Sequence, residues 1–413
     1  MNLINNNGIG NNISTVWLTL VVVLLCYYNV HIVHGQRDTI CPQQEIILPC
    51  RCSQKGSEIQ IWCSHSDLPR VLSGIKAVAK AINRPIDELI LENNFLPSLP
   101  GRAFAQLQIT RLMLRHNGLE RLSSGWLNDM ENNLVEIFIV ERGLRSIPVD
   151  SLFGLRNLEA ITIQSEGLKR SPVFSGLPKL RYINIESSSL IELSPMGFRD
   201  LINLESITIT GSLGLQRLEA GLFIDLPKLK NLNLQRNGIE WIHLRAFTSG
   251  LNSLKTIDLS FNKISNAGLV GRAIKDIQNL SILNLDHNRV ELLLEASFVD
   301  LPSLKELRLN DNLITEIHHG AFHRVPALKM VHLENNLLRH VHPESFLMSS
   351  GKGLEIIHLQ HNDIARIEEL RSLLDALPML RFMDLSYNKI TEIPFGALRG
   401  VSLCFMFVLC FFF

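Results

Sequence analysis

The sequence predicts a solenoid, a curved parallel β-sheet of about thirteen stacked units opened by a small disulfide-bonded module. Three observations predict it. From about Ile86 onward, the pattern L-x-x-L-x-L-x-x-N recurs every 22 to 26 residues, with Ile, Val or Met standing in for Leu. The clearest copy is Leu304, Leu307, Leu309 and Asn312, and close copies end at Asn237, Asn262, Asn288, Asn336, Asn362 and Asn388. The stretch after a copy closes with a Phe and an apolar-Pro pair, as in Phe298, Leu301, Pro302 and in Phe322, Val325, Pro326. Four cysteines, Cys41, Cys50, Cys52 and Cys63, cluster just ahead of the first copy.

A fixed period of this size with this pattern marks a leucine-rich repeat, a fold of the α/β class in which a parallel sheet lines the concave side. Thirteen repeats are counted, with ninth positions at Asn94, Asn117, Arg142, Glu166, Ser188, Ser212, Asn237, Asn262, Asn288, Asn312, Asn336, Asn362 and Asn388. Each L-x-L is a short strand whose apolar side chains point into the core while alternate residues face the inner surface. The Asn amide satisfies backbone groups where the chain turns out of the strand, which would otherwise be buried unpaired at about 1–3 kcal/mol each. A single repeat cannot bury its own apolar face, so stability comes from its neighbours. Thirteen strands about 4.8 Å apart make an inner arc of roughly 60 Å, which suits a protein or a glycan chain better than a small molecule. Repeats three to six depart from the pattern: their ninth positions are Arg142, Glu166, Ser188 and Ser212, and their strands are rich in Ile. Either drift in a tolerant repeat or a functional change of curvature accounts for this.

Four segments follow in order. Residues 1–35 are expected to be a signal peptide: Trp17 to Tyr28 is an apolar core of the right length, and Val33-His34-Gly35 is a small-residue cleavage context. The first fifteen residues lack Lys and Arg, a departure from the usual leader; an uncleaved anchor is the alternative, against which the shortness of the apolar run counts. Residues 36–85 are a cysteine-rich cap. Cys-x-Cys is too tight for ordinary zinc spacing, and an exported chain favours disulfides, of which four cysteines allow three pairings. Residues 86–400 are the repeats. Residues 401–413 are an apolar tail carrying Cys404 and Cys410, and Cys26 falls in the signal. The tail is short for a bilayer span and lacks the polar spacer of a glycolipid-anchor signal, which leaves membrane association open. The preferred expectation is a truncated product whose array continues in a longer form.

Lys+Arg and Asp+Glu both number 40, so nothing points to electrostatic capture of nucleic acid. No phosphate loop, nucleophile elbow, HExxH or CxxC occurs in the mature chain, and neither catalysis, a cofactor nor a metal is expected. His319 and His323 have i, i+4 spacing without the Glu and are expected on a solvated outer surface. Asn279-Leu280-Ser281 is the one glycosylation sequon of the mature chain, and a glycan there fits on the rim.

The concave face offers two candidate partner-binding regions. In the first three repeats the inner residues are apolar: Ile90, Met113, Phe138 and Val140. Such grouping marks an interaction site or packing against the cap. Repeats four to seven present Thr162, Asn184, Thr208, Asn233 and Gln235 instead. Eight of the fourteen histidines fall between His318 and His361, and His332 and His358 should stand side by side about 5 Å apart. They make either a pH-sensitive or metal-binding patch or simply a polar lining.

The stretches CPQQEIILPCRC, IQIWCSHSDLPRVL, PIDELILENN, RLMLRHN and RLEAGLF resemble arthropod extracellular leucine-rich repeat proteins of the chaoptin group. The resemblance covers Cys41 to about Leu398. It implies the pairing Cys41–Cys52 and Cys50–Cys63, and an extracellular matrix or cell-surface protein of neuronal or sensory tissue that binds another extracellular protein or matrix component. A receptor-type or soluble immune recognition protein, and a non-catalytic subunit of a secreted enzyme complex, are the competing roles.

Overall fold

A computed structural model describes residues 40–247, 250–346, 353–365, 370–393, 395–396 and 406–408. The expected signal peptide, its cleavage site, Cys404 and Cys410 lie outside the described residues. The described strands form one sixteen-stranded sheet. It opens with an antiparallel hairpin, Cys50–Lys55 against Glu58–Ser64, closed by the disulfides Cys41–Cys52 and Cys50–Cys63. The hairpin's second strand then pairs in parallel with the strand of repeat 1, Ile86–Glu92, and twelve further parallel strands follow in sequence order to Phe382–Asp384 in repeat 13. The sheet runs on into the segment set apart as a tail. The backbone of Met406–Val408 pairs in parallel with Phe382–Asp384, in the register of one more repeat.

The two Leu-type positions of each strand are buried from Leu89 and Leu91 through Met383 and Leu385, making one continuous core. A second spine runs beneath the outer segments, where the Phe residues pack ring on ring. Phe174, Phe198, Phe223 and Phe247 have centroids 5.8, 5.5 and 5.6 Å apart, and Phe298, Phe322 and Phe346 continue at 6.2 and 5.6 Å. Between these runs repeat 8 substitutes the helix Ala267–Ile274, capped by the Asn266 side chain accepting from the Leu269 amide.

Beside the hairpin lies the helix Leu68–Ala81, started by Pro69 and by Asp67, whose carboxylate accepts from the Arg70 amide. Its buried face is Val71, Gly74, Ile75 and Val78. A methyl group at Gly74 would meet Cys50 Sγ at 2.9 Å, so the close approach of helix and disulfide requires glycine.

The turn after each strand separates two kinds of repeat. In repeats 1, 2 and 7–13 the ninth residue is an Asn, buried in all but repeat 13, where Asn388 is half-buried, and it is preceded by a residue in the left-handed region, such as Asn93, His116, Arg236, Phe261 or Tyr387. Asn262 is typical: Nδ2 donates to Leu234 O in the preceding repeat at 3.0 Å and to Leu259 O at 2.9 Å, while Oδ1 accepts from the Ile239 amide at 3.0 Å. In repeats 3–5 the left-handed residue is missing and the turn is one residue tighter. The expected ladder positions Arg142, Glu166 and Ser188 are therefore exposed, and the residues before them, Glu141, Ser165 and Ser187, are buried in their place. Counting a fixed offset from the strand placed the ladder one residue too late there. Repeat 6 returns to the ordinary turn through Gly211, at φ +94°, and Ser212 accepts the hand-over when its amide donates to Asn237 Oδ1 at 3.0 Å.

Glu141 opens the tight-turn block. Its carboxylate is 1% exposed and accepts from the Asn117 amide at 2.9 and 3.0 Å, from Asn117 Nδ2 at 2.8 Å and from the Leu119 amide at 3.2 Å. Burial pushes its pKa above the usual carboxylate value, and those hydrogen bonds oppose the shift.

Candidate functional site

Parallel register places one inner residue per strand in a single row along the concave face. It reads Trp62, Ile90, Met113, Phe138, Thr162, Asn184, Thr208, Asn233, and so to Arg308, His332, His358 and Asp384. The sequence-predicted residues Ile90, Met113 and Phe138 are thus neighbours, with Val140 beside Arg115 in the adjoining row. They do not share the surface equally. Ile90 is 7% exposed, wedged between Trp62 and Met113, and offers little to a partner, whereas Trp62 is 44% exposed. Sequence reasoning missed Trp62 because it precedes the first repeat. The alternation of Ile59, Gln60, Ile61, Trp62 and Cys63 carries the signal, since period two puts Trp62 on the same face as the inner residues that follow.

Charged pairs flank this apolar stripe on both sides. Arg111 lies 3.9 Å from Glu88, and Arg115 lies 3.3 Å from Glu92. An apolar centre bounded by polar groups is the usual composition of a protein interface. Farther along, the central-row polar groups are occupied by their own backbone: Asn233 Oδ1, Asp258 Oδ1 and Asn284 Oδ1 accept amides two residues on at 3.0, 2.9 and 2.9 Å. These are turn-forming groups before they are ligand-binding ones.

The histidine region is assembled as the spacing predicts. The His332 and His358 rings stack with centroids 4.8 Å apart and planes 7° from parallel, and Phe382 adjoins His358 at 5.2 Å. His332 lies 3.5 Å from Glu306 and 3.6 Å from Glu334. Burial, and then the charge of His332, push the His358 pKa down, against Glu334 and Asp384. Burial pushes Asp286 in the same region up. No group of three or more His, Cys, Asp or Glu among the described residues is arranged to hold a metal ion.

Along one rim, the left-handed turn residues make a partly exposed row of rings that the sequence reading did not single out. Arg236 covers Phe261 at 4.8 Å, Phe261 stacks on His287 at 4.1 Å, and His361 stacks on Tyr387 at 4.3 Å. Of the outer-face histidines, His319 pairs with Glu344 at 3.2 Å. Asn279 is exposed, and its Nδ2 donates to Asn252 O at 2.6 Å on the rim.

The fold is that of a leucine-rich repeat protein. A family model described as leucine rich repeat matches residues 202–264 and 302–364, stretches dominated by the ordinary Asn turn. Human Toll-like receptor 3 is 27% identical over 243 residues, covering 54% of this chain and 26% of that protein. Mouse Tsukushi is 25% identical over 201 residues, covering 46% of this chain and 54% of Tsukushi. The chain thus spans about a quarter and about half of the length of these two relatives. Among solved structures, the Toll–Spätzle complex of Drosophila superposes with a TM-score of 0.56 at 19% identity, covering 84% of this chain and 50% of that one. The likenesses run to extracellular leucine-rich repeat proteins.

Proposed function

We propose that this chain is an extracellular, non-catalytic binding protein that docks a protein partner on the N-terminal part of its concave face. One observation carries the reading: Trp62, Met113 and Phe138 lie in a single register row, bounded by ion pairs, on strands held rigid by their neighbours. Rigid presentation lowers the ordering cost of binding. Burying two such side chains supplies several kcal/mol at about 25 cal/mol per Å², before association costs. The finer resemblance, to the chaoptin group and within it to the matrix protein artichoke, favours an adhesive role in matrix or at the cell surface of neuronal or sensory tissue. The likeness to Toll-like receptor 3 and to the Toll of the Toll–Spätzle complex favours the second reading, a recognition protein of receptor type. Secretion with a cleaved leader, and a glycan at Asn279, belong to either reading.

The test is the double substitution Met113→Asp with Phe138→Asp, compared with His319→Ala with His323→Ala on the outer face. The expected result is binding to isolated extracellular matrix, or to a partner found by proximity labelling, weakened about tenfold or more by the first pair only, with both secreted like the parent. Undiminished binding by a well-secreted inner-face variant removes this site and turns attention to His332 and His358.

A further inference from the structure

The tight turns of repeats 3–5 have a consequence on the surface. By burying Ser165 and Ser187 where other repeats bury Asn, they turn the following residues outward and leave a cavity of about 470 Å³ between the concave face and the rim. Its walls include Val140, Arg142, Gln164, Glu166, Glu186 and Ser188.

The charges in it do not cancel. Arg142 Nε meets Glu166 Oε1 at 2.8 Å, so that pair is neutral. The Glu186 carboxylate accepts from the uncharged amide of Gln164, at 3.1 Å, and has no ion-pair partner among the described residues. The Ser165 and Ser187 hydroxyls are engaged with Leu144 O and Leu168 O at 2.7 and 2.9 Å, which leaves the carboxylates to decide what enters. Val140 supplies an apolar wall, suited to the methylene stem of a long basic side chain.

We propose that this cavity receives a lysine or arginine side chain of a polypeptide partner, with its charged head at Glu186 and its stem against Val140. The proposal deepens the reading of the concave face as a protein-docking surface and rests on it. Val140 also adjoins the apolar row, so one ligand segment can reach both. Phe138 and Glu186 stand two strand spacings apart and two residues apart along the strands, about 12 Å in all, which an extended peptide covers in about three to four residues. The partner segment therefore runs across the strands with a large apolar residue and a basic residue about three to four positions apart.

Selection of a random peptide display library on the full secreted chain tests this, at low and at high salt. The expected outcome is enrichment of Lys or Arg about three to four positions from an apolar residue, fading as salt rises. Glu186→Gln should weaken the best selected peptide about fivefold, and Glu186→Lys more than tenfold, with thermal unfolding like the parent. Replacing the basic residue of that peptide by Gln should weaken its binding to the parent to a similar degree. Peptides without basic enrichment, or basic enrichment that survives Glu186→Lys, overturn the assignment. The Met113→Asp, Phe138→Asp chain separates this failure from that of the docking site. If it selects the same peptides as the parent while Glu186→Lys loses the basic ones, the apolar-row reading falls and the cavity stands. If Glu186→Lys selects the parent's basic peptides, the cavity falls whatever the apolar variant does.

Discussion

Repeats 3–5 and repeats 7–13 solve one problem in two ways. Both must satisfy the backbone groups that stacking buries at the exit of each strand. Repeats 7–13 use a left-handed residue and an Asn that bridges three carbonyls and one amide, as Asn262 does. Repeats 3–5 omit the left-handed residue, and repeats 4 and 5 use a short hydroxyl: Ser187 reaches a single carbonyl, Leu168 O, and its oxygen accepts from the Ser189 amide. Their strands span five residues, as in Tyr182–Glu186, against three in Thr256–Asp258. The long turn gives a sealed, self-sufficient ladder. The tight turn turns polar residues outward, where they line a cavity. Glu141 joins the two systems, because the donors of Asn117 face an acceptor-only carboxylate.

Single alanine substitutions should rank these solutions. Glu141→Ala leaves two amides and the Asn117 side chain without their acceptor and should cost about 3–5 kcal/mol. Asn262→Ala should cost about 3 kcal/mol for the backbone groups it satisfies, and Ser187→Ala about 1 kcal/mol. Native-state hydrogen exchange gives these values locally, which suits an array that need not unfold as one unit. Equal losses at Asn262 and Ser187 would show that the two turns are energetically alike.

Acid should move the two regions in opposite directions. The His358 pKa is depressed on folding, so its contribution is complete above the ordinary histidine value of about 6.5 and is lost as pH falls through the lower folded value. The Glu141 pKa is raised, so its contribution is complete below the ordinary value and is lost as pH rises through the raised one. As pH falls from about 7.5 through the ordinary histidine value and on to the ordinary glutamate value of about 4.3, exchange protection should therefore fall in repeats 12 and 13 and rise at the junction of repeats 2 and 3, after correction for intrinsic rates. The raised Asp286 pKa acts in the same sense as that of Glu141, so acid should also raise protection around repeats 9 and 10. His358→Gln should abolish the acid loss in repeats 12 and 13 and leave the junction untouched.

The smallest effect expected concerns a feature that both regions share. Asn157 and Asn203, in the region of tight turns, donate to a carbonyl of the preceding repeat as Asn279 does. Only Asn279 is followed by Leu-Ser. Asn279→Gln should remove a mass that peptide-N-glycosidase also removes from the secreted parent, and should change stability by less than about 0.5 kcal/mol. A parent chain without that mass would leave the rim asparagines with the structural role alone.

Much of this was legible in the sequence because strand geometry is periodic. The inner row from Ile90 through His332 and His358 follows from alternation and a constant period, and the stacked imidazoles lie where one strand spacing puts them. What escaped was whatever depended on the turn. A nine-residue template cannot show whether a left-handed residue precedes the ladder, and it assigned Arg142 and Glu166, two charged residues, to buried positions. The presence of Ser165 and Ser187 one place earlier was the available correction. The cavity escaped with it, because it exists only when the turn shortens. Exposure escaped too: Ile90 has the right place in the row, but the bulk of Trp62 beside it covers the side chain.

The opening hairpin has a mechanical meaning. Trp62 sits one residue from Cys63, whose partner Cys50 faces it across the strands, and the described contacts of the same strand with repeat 1 are non-covalent, namely ladder hydrogen bonds, side-chain bonds such as Asn94 Nδ2 to Cys63 O, and core packing. A partner that pulls on Trp62 thus loads a covalent loop on one side and a parallel ladder on the other. Under tension the ladder yields first and the hairpin stays closed, so an adhesive contact at this end would fail by peeling along the array, repeat by repeat, while its anchor stays folded.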